Sequence, residues 1–406
     1  MTPSSGTEDR HAPSLISDDP RTELTPSWAR SNALPVDSPA LLETLQWLPE
    51  RFARYETTRY ITLSDADPDW VRTQTTHLER AHQQFLRFCR RLGLQPGPLR
   101  HKLVCVIFAS RLEYRTFARE RDGVADPSIA GYYAPAADRI VFYDPCDSPG
   151  AAEAHAALRR LSEQVSLLEE SARRCERFGP SDESRRFRNE LSERRAQLHE
   201  ARRQFQHRLD RAAAATVVHE AVHQLAFHTG VQSPYVQYPL WISEGLATAF
   251  ETESPENAFG PDHEYASRRQ GFERTLRAGH VMPVATLATL TMLPGGGPDS
   301  SARPTSAPPD EPPDDDAVRL LYHQSYALVT WLARYRRTEL RRYLDAMLLE
   351  PPGRPTRERH LAIFTECFGD PVKLEASWLR YEQERAGMMR ADHINPMRDQ
   401  PDIAAE

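Results

Sequence analysis

The segment His219-Glu220-Ala221-Val222-His223, followed twenty-one residues after its last histidine by Glu244, constrains the fold more than any other feature of the chain. At 3.6 residues per turn, His219 and His223 lie one above the other on one helix face, with Glu220 beside them. Two imidazoles, a later carboxylate and a spare glutamate are the donor set of a hydrolytic zinc site. The flanks fit a buried helix, because Val217, Val218, Ala221, Val222, Leu225 and Ala226 are small or branched and apolar, and Gly230 supplies a stop. Ser233-Pro234 and Pro239 then predict a loop before a helical pattern resumes from Trp241 to Phe250. The three donors therefore fall on two helices joined by a loop. Burying two histidines and a glutamate on one helix costs desolvation unless a partner satisfies them, and a metal ion is such a partner.

The runs His219 to Leu225, Leu240 to Ala247 and Phe250-Glu251 resemble the gluzincin metallopeptidases. The likeness is to their peptidase-MA-like group and to a bacterial domain-of-unknown-function family within it. Gly131-Tyr132-Tyr133 with Asp138 to Asp144 resembles that family's strand-turn-strand block. Tyr322 to Val329 resembles its late helix, and Cys367 to Asp370 with Leu374 to Trp378 its C-terminal end. The resemblance spans roughly residues 55 to 385. It implies an α+β fold of the gluzincin, zincin-like type, a small mixed α/β lobe followed by a mainly helical lobe, and zinc metallopeptidase activity. His219, His223 and Glu244 would hold one Zn2+ and leave a fourth position for water, with Glu220 as general base. Tyr322 would donate a hydrogen bond to the oxyanion, Tyr326 and His323 being the other candidates. Aromatic residues at helical spacing more often belong to the core, which is the competing account of both tyrosines.

The same resemblance implies a peptide or protein substrate that adds as an extra strand to an edge of the small lobe. Aminopeptidases of this class carry a Gly-x-Met-Glu-Asn run before the zinc helix. Its lack here favours endopeptidase action. The alternative function is a catalytically silent gluzincin-like zinc protein that holds peptides or a protein partner.

His228 invites a metzincin assignment that the spacing rejects. A metzincin places its third histidine six residues after His223, where this chain has Thr229, and a glycine three residues after it, where it has Ala226. Nine residues from His219, His228 points to the opposite side of a continuous helix, and ordinary packing is its expected role. Glu251, two turns beyond Glu244, is placed to orient a liganding histidine, and Thr248, one turn on, is the other candidate.

Composition frames the rest. Hydrophobic residues make up 39%, and a mean hydropathy of −0.63 points to long polar segments around an ordinary core. A formal charge of −7 and a pI near 6.1 give no reason to expect nucleic acid as a partner. Cys89, Cys105, Cys146, Cys175 and Cys367 lack any CxxC spacing, so they are expected as reduced thiols in a cytoplasmic protein. The start of the chain lacks a basic-then-apolar signal, although a misassigned start would leave room for export, and no apolar run reaches membrane-spanning length.

Along the chain, residues 1–38 read as a disordered tail and 39–148 as the α/β lobe, with strands at Thr58 to Leu63, Lys102 to Phe108 and Arg139 to Tyr143. Helices are expected at Val71 to Leu94 and Arg111 to Glu120. Residues 149–212 form an inserted antiparallel helical hairpin. Leu158, Leu161, Val165 and Leu168 would face Phe187, Leu191, Leu198, Phe205 and Leu209, and Ser181 would cap the second helix. Its alternating arginines and glutamates read as a solvated face, and a partner-binding arm is the functional counterpart. The zinc-site helices occupy 213–255 and a helical lobe 256–387. A disordered loop is expected at 294–316 and a flexible tail at 388–406.

Overall fold

A computed structural model describes residues 34–124, 130–177, 182–292 and 315–388. The chain is mixed α+β, mostly helical, with one five-stranded sheet. The strands are β1 (Ala53–Glu56), β2 (Tyr60–Ser64), β3 (Leu103–Phe108), β4 (Gly131–Ala134) and β5 (Arg139–Tyr143), in the order β1-β2-β3-β5-β4. The three central strands run parallel, while β1 and β4 pair antiparallel at the two edges.

Both faces of the sheet are covered, which is why Leu103-Val104-Cys105-Val106-Ile107-Phe108 is apolar throughout instead of alternating. Leu103, Cys105, Ile107, Ile140 and Phe142 pack towards α2 (Pro68–Leu92) and the helix that carries His219 and His223. Val106, Phe108 and Val141 pack towards α3 (Arg111–Arg121), and Ile61, Leu63 and Val104 towards α1 (Pro39–Trp47). Helix α2 stops two residues short of the expected Leu94. Gly93 adopts a left-handed φ of 77° there, and the amides of Gly93 and Leu94 bond back to Arg90 and Cys89.

Helices α4 (Pro149–Glu176) and α5 (Asp182–His228) form the antiparallel hairpin. Val165, Ala172, Leu191 and Leu198 make one buried cluster, and Ala151, Phe205 and Leu209 another. The boundary expected at 212 and 213 is not a break: α5 is one helix of 47 residues, about 70 Å long. Its second half carries both histidines of the motif. The run Ala212-Ala213-Ala214-Ala215 explains the continuity, since alanine is the strongest helix former.

The remaining helices are α6 (Leu240–Phe250), α7 (Ala266–Arg277), a single turn α8 (Val284–Leu287), α9 (Asp315–Tyr335), α10 (Arg337–Leu348), α11 (Arg357–Phe368) and α12 (Pro371–Arg385). Trp241 anchors α6 against Tyr343 and Phe364, with ring centroids 5.1 and 5.6 Å away. Phe272 of α7 stacks on Trp378 of α12 at 5.3 Å.

Several boundaries shift from expectation. Pro35 accepts a bond from the Lys102 amide and Ser38 caps α1, so the last residues of the expected N-terminal tail are part of the fold. Helix α9 begins at Asp315, inside the loop expected to reach 316. Strand β1 and helices α1, α7, α8 and α11 have no individually expected counterpart, while α9, α10 and α12 answer the helices expected near Val318 to Arg334, Arg337 to Leu349 and Leu374 to Arg385. Residues 1–33 of the expected tail, 294–314 of the expected loop, the cap at Ser181 and the expected C-terminal tail from 389 lie outside the described residues. All five cysteines are free thiols. No helix among the described residues is long and apolar enough to cross a membrane.

Candidate metal centre

Helix α5 presents His219 and His223 one turn apart, and α6 brings Glu244 against them. The Nε2 atoms of the two histidines are 3.2 Å apart, and a Glu244 oxygen lies 3.2 Å from His219 and 3.6 Å from His223. An ion held tetrahedrally at about 2.0–2.1 Å spaces neighbouring donors about 3.3 Å apart, so the triangle has the size that zinc requires.

Proton bookkeeping supports the fit. The Nδ1 of His219 lies 2.9 Å from Glu251 and donates its hydrogen there, which turns Nε2 to Glu244 and His223; that nitrogen holds a proton in the bare site and would give its lone pair to a metal. Acceptors converging in this way need a shared cation. For the bare side chains, burial opposes charge on His219. Hydrogen bonds to Glu244 and Glu251 and the charge of Glu220 outweigh it and push the imidazole up to about 10. Burial also opposes ionisation of Glu244, yet His223 and His219 hold its carboxyl well below the usual carboxylate range.

Glu220 does not point at the triangle as a fourth ligand. Burial raises its pKa, with the charge of Glu244 adding to the rise, while the two histidines and the backbone amide of Tyr133 on β4 act against it. Glu251 joins a further network in which the Arg268 guanidinium, from α7, grips its carboxylate with two bonds of 2.7 Å. Arg268 also lies over the Tyr322 ring, 5.4 Å from its centroid.

The three late-helix candidates separate cleanly. Tyr322 reaches the centre, its ring 6.1 Å from that of His219 and its hydroxyl interacting with Glu244. The charge of Glu244 and burial hold that hydroxyl protonated, well above the ordinary tyrosine range. Tyr326 instead accepts the Tyr265 amide at 2.9 Å, which commits it to holding a loop. His323 packs where Gly271 leaves room: a Cβ there would meet its ring at 2.3 Å. Thr248 spends its hydroxyl on the carbonyls of Glu244 and Gly245, so Glu251 alone holds the histidine.

A cleft of about 340 Å3 opens beside His219 and Glu220, lined also by Gly131, Thr216, Arg268 and Tyr322 among others. Two glycines set its walls. A Cβ on Gly131 would fall 2.9 Å from Thr216, so only glycine lets β4 lie this close to α5. A Cβ on Gly245 would fall 2.7 Å from Val329, so glycine also lets α6 press against α9 and bring Tyr322 to Glu244.

A family model described as "Protein of unknown function (DUF1570)" matches residues 213–262. The DUF1570 match holds both histidines, Glu220, Glu244 and Glu251, and it leaves out the sheet, most of the hairpin and Tyr322. No curated protein matches the chain.

Arg268 escaped the sequence reading, since nothing in its spacing ties it to the motif. His228, beyond the motif on α5, faces Asp138 at 2.6 Å and not the triangle.

Proposed function

We propose that this chain is a zinc-dependent peptidase of the gluzincin type that cuts within peptide chains. The observation that carries this is the meeting of three donors within 3.6 Å, one of which, His219, lines a cleft together with Glu220. Bound Zn2+ would act as Lewis acid and lower the pKa of a coordinated water towards neutrality. Glu220 takes the proton of the attacking water and passes it to the leaving amine, a task that suits a carboxyl whose pKa is raised. Tyr322 keeps its proton and offers it to the developing oxyanion.

Substrate placement follows from β4. Among the described residues it is an edge strand that pairs only with β5, and its Tyr133 amide points outwards to Glu220. Alternation along the strand turns Gly131 to the same side, so an extended peptide can pair there with its scissile bond at the centre.

The test is zinc content together with cleavage of a proteome-derived peptide library, comparing wild type with Glu220→Gln. We expect one ion retained at this centre and cleavage lowered by about 10²–10⁴-fold. Equal cleavage by both proteins would sink the proposal, and zinc binding without cleavage by either would mark a silent peptide-binding protein.

A further inference from the structure

His101, Asp138 and His228 each bring a potential ligand atom within 4.8 Å of the others, away from the first centre. We infer that this triad is a second metal site, suited to a divalent ion of zinc's class and fastening the β4–β5 turn to the end of α5. The inference is independent of the peptidase proposal. Three segments remote in sequence meet here: the loop before β3, the turn between β4 and β5, and the last residue of α5.

The donor chemistry is that of a transition-metal site. The Nδ1 of His101 lies 3.0 Å from the Lys102 carbonyl and donates to it, which leaves Nε2 with its lone pair free to ligate. The His101 ring meets that of His228 edge to face, with centroids 5.3 Å apart. The Tyr133 hydroxyl donates to the same Asp138 oxygen that faces His228, at 3.0 Å, and so orients the carboxylate. Asp138 is the one non-glycine among the described residues in the left-handed region, at φ 52°, a conformation that Asp and Asn tolerate better than other side chains. Lys102, next to His101, turns away to Glu56 and the Thr57 carbonyl, and Arg139, next to Asp138, turns away to Asp122.

Two further features favour a cation. The site lies at the C-terminus of α5, the negative end of the helix dipole, although the amides of Thr229, Gln232 and Gly230 already bond the Leu225, Ala226 and Phe227 carbonyls there. The side chains of His228 and Asp138 keep 14% and 26% of their exposure, which leaves room for water as a fourth ligand. Loading would lengthen the 2.6 Å His228–Asp138 contact to about 3.3 Å, a shift that small side-chain rotations supply. A plain ion pair between His228 and Asp138 would leave His101 without a ligand's role, and that is the competing outcome.

The experiment strips the full chain with a chelator, reloads it with Zn2+ and counts ions by elemental analysis. Wild type should hold two, and Asp138→Asn, which keeps the turn and its hydrogen bonds, should hold one, as should His228→Gln. In a His219→Ala/His223→Ala background, one site should remain and bind Co2+ with a visible absorption band. Adding Asp138→Asn should weaken that binding about tenfold or more. A wild type that holds a single ion, lost in His219→Ala/His223→Ala and kept in Asp138→Asn, would overturn the inference and leave the first centre untouched.

Discussion

Glu251 receives the Nδ1 hydrogen of His219 at 2.9 Å while Arg268 grips it from the other side, so the liganding face of His219 is fixed from a third helix. The bond selects the tautomer whose Nε2 can ligate and raises its basicity. Glu251→Ala should therefore weaken Zn2+ binding at this centre by about 10–100-fold, measured by competition with a chelating dye. Affinity equal to wild type would show that packing alone orients His219.

The two tyrosines of α9 should behave oppositely. Tyr322→Phe removes the donor beside Glu244 and should lower kcat by about 10²–10³-fold with zinc content unchanged. Tyr326→Phe leaves the Tyr265 amide without its acceptor and should cost about 1–2 kcal/mol of stability with little change in kcat. Parallel kinetics and denaturant melts on both variants check the contrast, and reversed effects would refute it.

Gly245→Ala should destabilise by about 1–3 kcal/mol, because the added methyl collides with Val329 and the Ser325 carbonyl. Whatever relief α9 finds moves Tyr322 from Glu244, so kcat should fall together with Tm. A variant that loses stability at full kcat would show that the collision is absorbed elsewhere.

Stability should fall in mild acid through histidines away from the centre. Burial, with the charge of Arg59 adding, lowers His82 to about 4; burial, with Arg268 and Arg274 adding, lowers His323 to about 4. Each binds its proton more weakly folded than unfolded, so their contribution is intact above the ordinary 6.5 and is lost as pH falls towards 4. His82→Gln should flatten the decline of Tm across that interval in a scanning-fluorimetry series. An undiminished slope would place the proton uptake at other groups.

Two corners of the candidate triangle were legible because helical periodicity converts four-residue and seven-residue spacings directly into shared faces, while Glu244 came with the family resemblance. That is how His219, His223 and the relation of Glu251 to Glu244 could be read before any coordinates. Contacts between elements lack such a ruler. Arg268 arrives from α7 with no register to the motif, and His228 meets Asp138 only once the β4–β5 turn is folded. Periodicity also set Tyr322 and Tyr326 on one face without showing that one hydroxyl is spent on the Tyr265 amide. Strand β1 went unseen because its residues are mostly exposed and carry no alternation.

Leu198, Phe205, Ala212 and His219 follow one another at intervals of seven along the unbroken α5, as do Leu209, Thr216 and His223. A straight helix drifts only about 20° per such interval, so the stripe that α4 covers at Phe205 and Leu209 becomes, a few turns later, the stripe that carries the ligands. The foot of α4 at Ala151 thus ends where the cleft wall begins at Ala215 and Thr216. One added alanine between 212 and 215 would swing both histidines by about 100° relative to the hairpin's seam. The hairpin's seam and the face that carries His219 and His223 are in that sense locked to one rotation.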